Sequence, residues 1–149
     1  MQSNAAGNVH IPDNETLTSD VNSGTVAIGI INQYYYYRLK TEVGPTVVGS
    51  QFAFFAPHDP GYLENISGAA VLGSSKNQAA AQKFLQFLIS PSGQTVLATS
   101  DSFEYPLANG VAASPQLPPL NTLAPNAFSV ANLGTGEDAK ALLQQAQLL

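Results

Sequence analysis

Short apolar runs alternate with helix-like segments along this chain, and that alternation restricts its possible folds more than any other feature. Thr25 to Ile31 (TVAIGII) is apolar, β-branched and free of charge, the pattern of a buried strand. Gln51 to Ala56 (QFAFFA) and Gly68 to Leu72 (GAAVL) read the same way. Helix signals lie between and after them. Asp13-Asn14-Glu15-Thr16-Leu17 starts a first helix, with Asp13 or Asn14 as cap and Gly24 as stop. A second, over residues 33–43, begins where the first run ends and closes near Gly44-Pro45. Ser75-Lys76-Asn77-Gln78 has the capping-box form and opens a helix from Lys76 to Ile89, with Ala80, Phe84, Phe87 and Leu88 at helical spacing. Ser90-Pro91 breaks it, and Pro91 starts a shorter helix through about Leu97. Thr135-Gly136-Glu137-Asp138 caps a last helix, Glu137 to Leu148. Strands alternating with helices predict an α/β fold. The first dozen residues are polar and expected to be loose. Residues 106–128 contain Pro106, Pro115, Pro118, Pro119 and Pro125 and are expected to lie extended on a surface.

Composition then removes whole classes of function. The 149 residues can bury a core and make one domain, or a portion of a larger one. Only 10% are charged, against about 25% in a typical soluble domain, and the net charge is −5. Such a chain is a poor partner for nucleic acid or an anionic membrane. Without cysteine there is no disulfide, no Cys-ligated zinc and no iron–sulfur cluster. No apolar run approaches the roughly 18 residues of a membrane span. The start, Met1-Gln2-Ser3-Asn4, carries no signal-peptide pattern. There is no G-x-S-x-G, P-loop or H-E-x-x-H, so nucleophilic or zinc chemistry has no support. His58-Asp59 sits in a Pro-Gly turn and reads as structural. Glu104-Tyr105 could suggest a ligand pair, but Tyr105 precedes Pro106 and reads as packing. Asn14-Glu15-Thr16 and Asn65-Ile66-Ser67 match the glycosylation pattern only as chance matches do.

The most unusual local feature is Tyr34-Tyr35-Tyr36-Tyr37. Taken alone, four tyrosines on a helix pack into a core. Their position, at the first turn of a helix that leaves a buried strand, argues for more. Ligands in open α/β sheets bind beyond the carboxyl ends of strands, and helix N-termini attract anions. A phenol titrates near 10 in water, but a hard trivalent cation displaces its proton and gains a strong anionic oxygen. Hard cations select oxygen over sulfur, and the sole sulfur here is Met1. Neighbouring helical residues point about 100° apart; the first turn relaxes that limit for Tyr34 and Tyr35. Tyr37 falls on the side of Tyr34, and Tyr36 points elsewhere, toward packing.

Asn14 to Arg38 (NETLTSDVNSGTVAIGIINQYYYYR) strongly resembles the ferric-iron-binding periplasmic proteins, the solute-binding components of bacterial Fe(III) ABC importers. The resemblance continues through His58-Asp59-Pro60-Gly61. It is closest in Ser67-Gly68-Ala69-Ala70-Val71-Leu72, Ser75-Lys76-Asn77-Gln78, Ala81-Gln82-Lys83-Phe84-Leu85 and Glu104-Tyr105-Pro106-Leu107, and it runs into the last helix. It implies part of a two-lobed, type II-like periplasmic binding protein that closes on its ligand by hinge motion. It assigns Fe(III) ligation to Tyr34 and Tyr35, and assigns the holding of a synergistic anion, phosphate or carbonate, to Asn32 and Asn14. It also implies a periplasmic location and an inner-membrane ABC permease as partner.

The resemblance covers only the later, C-terminal half of such proteins. The earlier half, with its His and Glu ligands, has no counterpart here; His10 and Glu15 do not match those positions. Strand edges exposed by that gap invite pairing. The expectation is therefore self-association or a partner carrying the first half. Two other readings stay open from the residues: a binding protein for another solute, such as a polyamine or an oxyanion, with the tyrosines as an aromatic wall, or a truncated fragment with no transport role.

Overall fold

The computed structural model describes residues 11–127, 132 and 134–146. Among these residues five α-helices follow one another: α1 Asn14–Ser23, α2 Gln33–Val43, α3 Gln78–Leu88, α4 Pro91–Thr99 and α5 Glu137–Gln145. A 3-10 turn, Leu120–Thr122, interrupts the proline-rich segment that was expected to carry no element. Of the dozen residues expected to be loose, the first ten fall outside the described residues, as do positions 147 and 148 of the expected last helix.

The helix ends follow local chemistry. Asp13 caps α1 by accepting the Thr16 N–H at 2.7 Å, and Gly24 ends it in the left-handed region at φ 81°, where an L side chain is strained. α2 has the bounds expected of it and stops at Gly44, φ 88°. Ser90 accepts the Gly93 N–H at 3.2 Å and Pro91 occupies the first turn of α4. α3 is a correction. It starts at Gln78, not Lys76, because the capping box does not form. Ser75 accepts the Asn77 N–H inside a tight turn, and the Gln78 amide donates to the Gly73 carbonyl at 2.9 Å.

The α/β expectation is also corrected. Among the described residues there is no strand and no sheet. Thr25–Ile31, Gln51–Ala56 and Gly68–Leu72 are irregular. An apolar run becomes a strand only when a neighbour completes its ladder of hydrogen bonds, and these runs do not pair. The first two instead flank an open groove of about 400 Å³ between Ala27–Ile31 and Ser50–Phe55. Their side chains stay in water: Ile28 is 83% exposed and Leu72 74%.

Two helix pairs organise the chain, α1 against α2 and α3 against α4. The segment after α2 is tied back to α1 by Asn22, whose amide oxygen accepts the Gly49 N–H at 2.8 Å and the Ser50 N–H at 3.2 Å. The buried centre is aromatic. Tyr37, Phe103 and Leu117 form it, with Tyr34, Tyr36, Tyr105 and Ala113 packed around them. Tyr37 and Phe103 have ring centroids 5.6 Å apart, within the range where aromatic pairs attract. From this centre a ladder of rings runs outward: Tyr36 stacks on Phe52 at 5.5 Å, Phe52 meets Phe54 edge-on at 5.0 Å, and Phe54 stacks on Tyr62 at 5.7 Å.

Candidate functional site

The first turn of α2 forms one wall of an open cavity of about 540 Å³. Asn32, Gln33 and Tyr34 face it from the helix start. Asn65 and Glu64 face it from the loop after Tyr62, and Glu104 and Tyr105 from the segment after α4. Phe54, Leu97, Leu107 and Leu123 supply much of the remaining, apolar lining. None of the lining residues is cationic, and two are carboxylates.

Helix geometry decides how the four tyrosines divide. Tyr37 turns inward and is 7% exposed. Tyr36 leans on Phe52. Tyr34 and Tyr35 remain half-buried at the helix start, with ring centroids 4.3 Å apart and planes tilted by 40°. Their rings lie against each other. Tyr34 lines the cavity, and Tyr35 is not among its lining residues. Tyr37 fills the space against Phe103, and Tyr34 packs against the same cluster, so the two share a side as expected.

An amide chain holds the Tyr34 hydroxyl. Asn32 Nδ2 donates to Tyr34 Oη at 3.4 Å, and Asn65 Nδ2 donates to Asn32 Oδ1 at 3.4 Å. The Tyr34 phenol titrates above its ordinary value. The neighbouring Tyr35 hydroxyl is the first cause, since it stabilises the protonated form; burial and the negative charge of Glu104 add to it, while the Asn32 amide works in the opposite direction. Arg38 lies one turn along, with its guanidinium carbon 5.2 Å from the Tyr34 ring centroid, a cation–π distance. It is fixed there by donating from Nε to the Asp101 carbonyl at 2.9 Å.

Asn14, grouped with Asn32 from the sequence, is elsewhere. It is exposed in the first turn of α1, its carbonyl accepts the Thr18 hydroxyl at 2.7 Å, and it does not line this cavity. Asn65 is the residue that sequence reasoning missed; it showed there only as a glycosylation match. His58 keeps a turn role: its N–H donates to the Ala124 carbonyl at 2.9 Å, and Asp59 accepts the Gly61 N–H at 2.7 Å. Tyr105 packs as expected, its hydroxyl donating to the Pro118 carbonyl at 2.8 Å. Among the described residues no three His, Cys, Asp or Glu side chains gather as a metal-binding group. Among the described residues no helix is long and apolar enough to cross a membrane.

Residues 2–124 match the family described as bacterial extracellular solute-binding protein. Among curated relatives, the Fe(3+)-binding periplasmic protein of Serratia marcescens is 35% identical over 136 residues, 91% of this chain and 40% of that protein. The major ferric iron-binding protein of Neisseria meningitidis serogroup B is 37% identical over 133 residues, 89% of this chain and 40% of that protein. Iron uptake protein A2 of Synechocystis is 33% identical over 127 residues, 81% of this chain and 36% of that protein. The chain therefore spans about 40% of the length of the first two. With the family matched over most of its length, this chain belongs to the bacterial extracellular solute-binding proteins.

Proposed function

We propose that this chain carries the tyrosine wall of a ferric-ion site and acts in the periplasm as part of the solute-binding component of an iron ABC importer. Fe(III) is the cargo, and no bond of a substrate is made or broken. The observation that carries the reading is the Tyr34–Tyr35 pair: two phenols 4.3 Å apart between ring centroids, half-buried at the start of α2, with Tyr34 on the wall of a cavity that no cationic residue lines. The relatives named for ferric iron binding in Serratia and Neisseria, aligned over about nine-tenths of this chain, support it.

The chemistry follows from the donors. Two phenolates are hard anionic oxygens suited to a hard trivalent ion. They must lose their protons to bind, so uptake releases protons and weakens in acid. Asn32 and Asn14 are the residues proposed for a synergistic phosphate or carbonate. Asn32 stands beside Tyr34, whereas Asn14 would need to reach the site from the exposed start of α1. The permease, and a partner covering the exposed apolar runs (a second copy, or a chain matching the remainder of the relatives), belong to the same proposal.

The apolar walls of the cavity favour a second reading, in which the tyrosines form an aromatic wall for another small solute. The two carboxylates and absent cations count against an oxyanion as that solute. Colour separates the readings. Titration with ferric citrate is expected to give a visible phenolate-to-Fe(III) charge-transfer band, lost together with iron uptake in the double variant Tyr34→Phe/Tyr35→Phe. Equal iron retention by wild type and double variant rejects the assignment and leaves the chain without a role in iron binding.

A further inference from the structure

We propose that Asn65 is a positioning residue for the ferric site: it orients the Asn32 side-chain amide so that an amide N–H donates to the Tyr34 phenol oxygen. The proposal rests on the tyrosine reading above and deepens it with a residue from the loop after Tyr62.

Three observations carry it. First, three side chains form a directed chain on one cavity wall. Asn65 Nδ2 donates to Asn32 Oδ1 at 3.4 Å, Asn32 Nδ2 donates to Tyr34 Oη at 3.4 Å, and all three residues line the cavity. Second, Asn32 gives up the bond that its place in the helix offers. It is the N-cap of α2, where an asparagine side chain ordinarily accepts a helix N–H, yet its side chain makes no capping bond. Its oxygen is turned to Asn65 and its nitrogen to Tyr34 instead. Third, both ends of the chain are anchored. The Tyr34 ring packs against the aromatic centre and has the Arg38 guanidinium carbon 5.2 Å from its centroid. The loop that carries Asn65 is held just before it by the buried Tyr62, whose N–H donates to the Asp59 carbonyl at 2.9 Å and whose carbonyl accepts the Asn126 N–H at 2.8 Å.

The chemistry gives this direction a purpose. A free phenol can donate or accept, so either end of an amide satisfies it. A phenol oxygen bound to a metal ion carries no proton and only accepts. It is matched by the amide N–H and repelled by the amide oxygen. Asn65 places a donor where only the Asn32 oxygen fits, and the Asn32 nitrogen is left for Tyr34. Partners of this kind, one bond removed from a metal, orient its ligands.

The test compares wild type, Asn65→Ala, Asn32→Ala, Asn65→Ala/Asn32→Ala, Tyr34→Phe/Tyr35→Phe and Asn126→Ala. Asn126 is the control: its side chain donates to the His58 carbonyl at 3.3 Å, and it does not line the cavity. Each protein is titrated with ferric citrate against excess citrate while the visible band and the retained iron are read; circular dichroism checks that each variant folds. Asn65→Ala is expected to lose about tenfold in affinity and to move the band to longer wavelength, because a phenolate that loses a hydrogen bond gives up its electron more readily. Asn32→Ala should do the same. The double asparagine variant should fall no further than Asn32→Ala, since Asn65 acts through Asn32. Asn126→Ala should keep the wild-type band and affinity. If Asn65→Ala keeps the wild-type band position, if Asn126→Ala moves the band as far, or if the losses of Asn65→Ala and Asn32→Ala add in full, the proposal is overturned while the tyrosine assignment stands. If wild type shows no band, or the double tyrosine variant retains iron, the tyrosine reading fails and this proposal falls with it.

Discussion

Gly93→Ala is the perturbation whose cost can be worked most directly from the structure. Gly93 lies in the first turn of α4, buried against the end of α3. A Cβ placed there would collide with the Phe87 carbonyl oxygen and come within 2.9 Å of the Phe87 carbonyl carbon and 3.0 Å of Leu88 Cα. All three are backbone atoms, so no side chain can rotate aside; α4 has to move off α3. Helix propensity alone favours alanine over glycine by about 1 kcal/mol. Overfilling a packed contact costs about 1–3 kcal/mol, more when backbone must shift. The collision wins, and a net loss of about 2 kcal/mol is expected, or a melting point lower by about 6 °C for a chain of this size. The movement also reaches the cavity. Gln94, next in sequence, accepts the Leu107 N–H at 2.7 Å and donates to the Leu88 carbonyl at 2.9 Å, so it links the elbow between the helices to the segment beyond Glu104. Thermal melts of Gly93→Ala and Gly68→Ala form the assay. At Gly68 an added Cβ meets nothing within 4 Å, and that variant should match wild type or gain slightly. A Gly93→Ala protein as stable as Gly68→Ala would refute the argument that this glycine is required by close backbone approach.

Other expectations concern charge and surface. Each phenolate ligand releases one proton on binding, so apparent Fe(III) affinity should rise about two decades per pH unit in wild type and about one decade in Tyr34→Phe or Tyr35→Phe; equal slopes in a competition titration would contradict two-phenolate binding. Burial, and then the charges of Tyr37 and Tyr62, push the Tyr105 phenol from 10.0 up to about 12. A raised folded value favours the neutral phenol in the native state, so its contribution is complete below pH 10 and is lost as pH rises toward about 12. Alkaline denaturation followed by circular dichroism should show a decline in that window for wild type and a smaller one for Tyr105→Phe. Ile28, Leu72 and Ile89, each at least 74% exposed, leave large apolar side chains in water that a partner would cover. Concentration-dependent association in sedimentation velocity, with strong dye binding by the dilute protein, is expected; a monomer at all concentrations with no dye binding would remove this inference.

Helix boundaries were legible in the sequence because their causes are local. Asp13 and Gly24 bound α1, Gly44 ends α2, and Ser90-Pro91 separates α3 from α4, each through its own backbone or a neighbour within a few residues. The tyrosine run at the start of α2 was equally legible, since a helix start is a local event. The three expected strands were not decided locally: an apolar run signals its wish to be covered, but whether it is paired depends on a partner ladder, and here the runs meet a groove and water instead. The capping box failed for a related reason, because a turn closed by Ser75 competed for the same residues. The composition of the cavity wall is the most tertiary of all. Asn65 and Glu104 come from separate loops and share the wall with Tyr34, where the Asn65–Asn32 amide contact, the Gln33–Phe103 bond and the buried Phe103 ring tie those loops to α2. Long-range contacts of this kind leave no periodicity in a sequence, since packing and loop closure, not spacing, bring such residues together.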